Sequence, residues 1–222
     1  MGNSYHIDTE KYSLQRFKHN LETRNMIPSR VILKVDLDNR FNILKMNGIT
    51  NLKELMERLK TKPKIESFSN ETGLPIDYLT ILNREAKSYL PNPVRLDKFA
   101  GIPANYVNSL DRIGIKNSRQ LFYAAKAKDD RQSLAQQADI PIDILDELVS
   151  LSDLVRTYGV GPVFARLIYD VGIKSIKEFV EITAEEFIRI YEEHEGKKAD
   201  FGVSDIEFSL VIARELDIAV EL

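Results

Sequence analysis

Three short stretches of this chain read alike, and their spacing limits what it can fold into. Asn47-Gly48-Ile49-Thr50, Ile113-Gly114-Ile115-Lys116 and Val171-Gly172-Ile173-Lys174 each set a glycine before an isoleucine. Each leads through a polar residue into an amphipathic segment: Leu52-Lys53-Glu54-Leu55, Ser118-Arg119-Gln120-Leu121-Phe122 and Ser175-Ile176-Lys177-Glu178-Phe179. Gly114 follows Gly48 by 66 residues, and the same offset carries Leu74-Pro75-Ile76-Asp77-Tyr78-Leu79 onto Ile140-Pro141-Ile142-Asp143-Ile144-Leu145. Two independent landmarks at one offset mark an internal repeat. Gly172 follows Gly114 by 58, and the eight missing residues map to 91–94 and their surroundings. The third copy ends on Val203-Ser204-Asp205-Ile206-Glu207-Phe208, a looser match to the second landmark.

Each copy reads as helices joined by tight turns. Pro75, Pro103, Pro141 and Pro162 stand just before amphipathic stretches, where proline's missing N–H costs a helix nothing. Ser175 with Glu178, Thr183 with Glu186 and Ser204 with Glu207 have capping-box spacing. The glycine of each Gly-Ile pair closes the preceding helix, where positive φ is needed. Leu52, Leu55, Met56 and Leu59 fall on one helical face, as do Val163, Leu167 and Ile168. Residues 31–37 read as a helix entering the first turn, and Ser13 as the cap of a helix carrying Leu14, Phe17, Lys18 and Leu21. The expected fold is all-α: three tandem modules in one elongated or curved helical body, with an N-terminal helical arm. The boundaries are 1–29 for the arm, then 30–95, 96–153 and 154–222 for the modules.

Composition closes off several kinds of chemistry. The chain has no cysteine, so disulfides and thiolate zinc sites are excluded. His6, His19 and His194 form no metal pair at helical spacing and are expected to be exposed. Asp36 and Asp38 read as a helix cap rather than metal ligands, because no further acids follow at the right spacing. There is no phosphate-binding loop, nucleotide fingerprint or nucleophile elbow. Neither catalysis nor a metal or other cofactor is expected. The opening residues lack a signal peptide's apolar core, and His6 stands where a myristoylation motif needs Ser or Thr. No apolar run approaches the about 18 residues of a membrane span. A cytoplasmic protein with no membrane partner is the expectation.

One motif carries a mechanism. Around Gly159-Val160-Gly161-Pro162 the chain resembles a helix-hairpin-helix motif, whose two glycines permit a sharp turn between packed helices. The resemblance implies an all-α fold and a grip on a nucleic-acid backbone that positions without reading bases. Turn amides and the next helix's start then face one phosphate. Candidate contacts are Gly159, Val160, Gly161 and Val163, with Arg156, Arg166 and Lys174 adding charge. The second copy, Ala100-Gly101-Ile102-Pro103-Ala104, exchanges one glycine for proline. The first, Val35-Asp36-Leu37-Asp38-Asn39-Arg40, carries two carboxylates that repel phosphate. The repeat pattern, the Ile27-Pro28-Ser29-Arg30 stretch and the acidic C-terminus resemble an uncharacterised prokaryotic domain-of-unknown-function family of tandem helix-hairpin-helix-like units. That resemblance covers most of the chain.

Charge bears on the choice of partner. Residues 151–222 hold 8 Lys and Arg against 15 Asp and Glu, so the best-formed hairpin lies in the most acidic module. The run of Lys53, Arg58, Lys60, Lys62 and Lys64 reads as a solvated helix end. Tyr158 and Tyr169 flank the third hairpin as candidate surface contacts, and Phe164 as core. Two readings follow: sequence-independent binding of double-stranded nucleic acid, or a protein-interaction scaffold without nucleic-acid affinity.

Overall fold

The computed structural model describes residues 4–24, 26 and 28–221. Among these residues every regular element is helical, and β-pairing is confined to isolated bridges, Ser13 with Asn51 and Arg95 with Asn117. The chain runs through α1 (Leu14–Thr23), a 3₁₀ segment (Pro28–Lys34), α2 (Leu37–Met46), α3 (Leu52–Arg58), α4 (Lys62–Thr72) and α5 (Ile76–Ser88). A short 3₁₀ turn (Leu96–Lys98) leads to α6 (Ala104–Arg112), α7 (Ser118–Ala125), α8 (Lys128–Ala138) and α9 (Ile142–Leu154). Then come α10 (Pro162–Asp170), α11 (Ile176–Glu181), α12 (Ala184–Glu195) and α13 (Val203–Ala213).

Contacts divide the chain into two compact units. One is Ile7–Leu90; the other joins residues 4–6 to 91–221. In the first unit α5 lies against α3, α4 and the 3₁₀ segment, burying Tyr78, Leu79, Leu82 and Ala86. Its polar centre is Glu85, fully buried and ion-paired with both Arg24 and Arg30. In the second unit α9 takes the central place against α7, α8 and α10. Every residue from Leu148 to Leu154 of α9 is buried, as suits a helix enclosed on all sides. Further along, α11 and α12 both pack on α13.

The three Gly-Ile turns share one backbone geometry. Gly48, Gly114 and Gly172 have φ of 80°, 88° and 97°. The following isoleucine amide donates back to Leu44, Leu110 and Ile168 respectively, at 3.2, 2.9 and 3.2 Å. This is the glycine-closed helix end that satisfies the last carbonyls. Asn51, Asn117 and Ser175 then cap α3, α7 and α11, accepting from the amides of Glu54, Gln120 and Glu178. The side chains of Glu54, Gln120 and Glu178 in turn accept from the Thr50, Lys116 and Lys174 amides at 2.7, 2.8 and 2.5 Å.

Several local expectations change. Residues 31–37 are not one helix: the 3₁₀ segment ends at Lys34, and Asp36 follows in the left-handed region at φ 52°. Aspartate tolerates that conformation through its short polar side chain, and here Asp36 accepts from the Asn39 side-chain amide at 2.9 Å. Ser204 does not cap α13. The helix starts at Val203, and Asp205 accepts from the Gly202 amide instead. Val163 leaves the apolar face assigned to it, being 73% exposed, while Ala165 and Ile168 face the core.

Candidate functional site

The third hairpin is built by two local rules. Gly159 takes φ 78°, which lets the chain reverse after Tyr158. Gly161 is extended, caps α10 without a side chain, and hands over to Pro162 at the first helical position. A turn of the same hand stands at Gly101, 58 residues earlier, with φ 84°. The first copy has Asp36 directly at the helix start instead.

The candidate contact residues fare differently. Val160 is 5% exposed, and its amide donates to Thr157 at 3.2 Å, so both its side chain and its N–H are engaged within the fold. Gly159 is exposed, and Gly161 half-exposed. Val163 stands in the first turn of α10, where helix amides lack intrahelical partners. Phe164, expected in the core, is only half-buried, packing on Phe187 and Phe201. Tyr158 meets Phe208 edge-on at 4.6 Å. Tyr169 is half-buried beneath Arg166, whose guanidinium lies 4.6 Å from its ring centroid.

Both arginines are engaged in ion pairs within the fold. Arg156 is fully buried and ion-paired with Asp153. Its Nε donates to Tyr5 O at 3.0 Å, and its Nη2 to Ser4 O and Asp217 O at 3.2 and 2.9 Å. The Phe122 ring covers it at 4.4 Å. Asp153 has a second task. Its Oδ2 accepts from the Ile176 amide at 2.9 Å, whereas the equivalent amides of Leu52 and Ser118 donate to the backbone carbonyls of Tyr12 and Val94. At the third turn a buried carboxylate thus replaces an extended backbone segment, and Arg156 balances its charge. Burial pushes the Asp153 carboxyl above the usual range, against the pull of Arg156 and the Ile176 amide.

Arg166 is clamped as well. Its Nε and Nη2 donate to Asp170 Oδ1 at 2.8 and 2.5 Å, and its Nη1 pairs with Glu147. It also lies against the second turn: a Cβ added at Gly101 would sit 3.3 Å from Nη1. Of the three cations assigned from sequence to this hairpin, Arg156, Arg166 and Lys174, the last alone is exposed.

Other candidates settle into structure. His6 is half-buried rather than exposed; its Nε2 lies 2.8 Å from Pro91 O, and burial lowers its pKa. His19 and His194 are exposed. Lys53, Arg58, Lys60 and Lys62 each pair with a glutamate, and Lys64 donates to Glu57 O. Among the described residues no three His, Asp or Glu side chains are grouped to hold a metal ion, and no helix is long and apolar enough to cross a membrane. Asp38 pairs with Lys18 at 2.5 Å.

Residues 100–200 match the model of a family described as Domain of unknown function (DUF4332). The matched span opens at the Gly101 turn and runs through α12, taking in the third hairpin. No curated protein and no solved structure matches the chain.

Proposed function

We propose that this protein is a non-enzymatic helical scaffold that binds another protein, built on tandem helix-hairpin-helix-like modules. The observation that carries the reading is the fate of the two arginines at the best-formed hairpin. Arg156 is sealed inside with Asp153, and Arg166 is neutralised by Glu147 and Asp170. Phosphate binding depends on cations free to displace counterions, and this hairpin has spent both of its own internally. The surrounding unit, residues 4–6 with 91–221, holds 16 Lys and Arg against 23 Asp and Glu, a net of −7. Val163 adds an exposed apolar tip at the start of α10. An acidic surface with an apolar tip suits a basic protein partner with an apolar recess. The test is affinity capture from native lysate with wild type beside Val163→Asp. A partner retained by wild type and lost by the variant supports the reading. Equal recovery by both places binding elsewhere, and no recovery at several concentrations removes the proposal.

A second reading, sequence-independent nucleic-acid binding in the cytoplasm, is favoured by the recurrence of the Gly101 and Gly159 turns. Its remaining contacts are the Gly161 and Val163 amides with Lys174 and Lys177, both exposed. Fluorescence anisotropy of labelled duplex DNA across a salt series decides it. Lys174→Glu with Lys177→Glu is the right variant, because Arg166→Glu would break the Glu147 and Asp170 clamp. A steep salt slope lost in that variant supports phosphate binding; no binding at low salt excludes it.

A further inference from the structure

A cleft of about 390 Å³ opens within residues 128–178, between α8, α9 and α10. That volume is in the range of small-molecule sites. Its charges are unevenly committed. Arg131 pairs with Asp146 at 2.7 Å and donates to the carbonyls of Ala125, Lys126 and Glu221. Glu178 accepts from the Lys174 amide. Lys128 and Lys174 both line the cleft and are exposed, and among the described residues neither has a carboxylate at ion-pair distance. Asp143, also in the lining, lies in the first turn of α9, where a carboxylate complements the helix dipole. The cleft also has an apolar side. Ile142 lines it while 44% exposed, and the Tyr169 ring lies nearby with Lys174 Nζ 5.8 Å from its centroid.

We propose that this cleft binds a small amphipathic anion, a carboxylate or phosphate monoester bearing an apolar group. Lys128 and Lys174 take the anionic head, and Ile142 with the Tyr169 ring takes the body. Two uncommitted cations beside an uncovered aliphatic side chain call for a ligand with both characters. Lys174 is shared with the nucleic-acid reading, but Val163 is not in the lining, so the cleft stands or falls apart from the protein-partner reading.

The full chain is titrated by calorimetry, with amide chemical shifts followed in parallel, against phenyl phosphate and phenylacetate. Inorganic phosphate and benzyl alcohol serve as the head-only and body-only controls. Saturable binding of at least one amphipathic anion is expected, with Kd on the order of 1 mM and shifts centred on Ile142, Tyr169 and the two lysines. Which anion binds tells carboxylate from phosphate. Lys128→Gln or Lys174→Gln lowers affinity about tenfold, and Lys174→Arg retains it; these side chains are exposed, so the fold survives each change. The proposal is overturned if benzyl alcohol binds as well as the anions, or if both Lys→Gln variants keep wild-type affinity. Failure of both anions to saturate by about 20 mM overturns it too.

Discussion

Arg156 holds together pieces of chain that are far apart in sequence, reaching Ser4, Tyr5, Asp153 and Asp217 from one buried guanidinium. Arg156→Met strips Asp153 of its counter-charge while leaving it buried, and a lone buried carboxylate costs about 3–5 kcal/mol. Urea unfolding measures this, and a loss below about 1 kcal/mol would mean that water reaches Asp153 in the variant. His6 makes a second residue-scale prediction. Burial disfavours its charged form, so its pKa in the fold lies below the ordinary 6.5. Unfolded chain then binds the proton more readily, and stability is lost as pH falls from 6.5 through the folded value. The protection factor of the Tyr5 amide, which allows for the slowing of intrinsic exchange in acid, should therefore fall on acidification through that window, and His6→Gln should flatten the response. Neither role was legible in the sequence. Asp153 and Arg156 have the i, i+3 spacing of an ordinary surface pair, and only the apolar neighbours Leu151, Leu154 and Val155 hinted at burial. Nothing beside His6 announces that Pro91, 85 residues away, accepts from its ring.

Turns and caps were far more legible, because glycine and the capping side chains act locally. Gly48, Gly114 and Gly172 sit where the Gly-Ile spacing puts them, and Ser13, Ser175 and Thr183 cap as their spacing implies. Legibility fails where two local solutions compete. At α13 both Ser204 and Asp205 offer a cap, and the carboxylate on the Gly202 amide wins, starting the helix at Val203. Val163 has the right period for the core, yet a helix's first turn often projects past the surface it packs on. The two hairpin glycines are the sharpest case, since sequence treats them as equals. Gly159 has φ 78° and an added Cβ would lie 3.4 Å from Ser209 Oγ; Gly161 is extended with nothing within 4 Å. Gly159→Ala should cost about 1 kcal/mol or more, and Gly161→Ala should stay within about 0.5 kcal/mol of wild type. Thermal unfolding of the pair checks this, and equal losses would contradict the turn geometry. Asn117→Ala removes the cap of α7 and should cost about 1 kcal/mol.

At the scale of the whole molecule, sequence order and contact order part company. Residues 4–6 precede the Ile7–Leu90 unit in the chain, yet their contacts are with residues 91–221. Tyr5 makes this happen: its amide donates to Tyr123 Oη at 3.1 Å, its hydroxyl lies 2.6 Å from Ser118 Oγ, and its carbonyl accepts from Arg156. The other end of the chain is fastened in the same way, with Glu221 N donating to Lys126 O and its carbonyl accepting from Arg131. A repeat read from glycine spacing cannot foresee such a closure, because the residues that make it lie outside the repeating landmarks. The two units also differ in charge: Ile7–Leu90 has 15 basic against 11 acidic residues, a net of +4, beside −7 for the rest. Ser4, Tyr5, Asp153 and Asp217, which Arg156 joins, all belong to one unit, so Arg156→Lys should loosen that unit selectively. It keeps the charge facing Asp153 but loses the planar fork that reaches three carbonyls at once. Hydrogen exchange followed by mass spectrometry should show faster exchange in peptides covering residues 4–6 and 217–221, with α1 through α5 unchanged. Faster exchange across α1–α5 as well would mean that the two units open together, and that the contact boundary at Leu90 is not a boundary of stability.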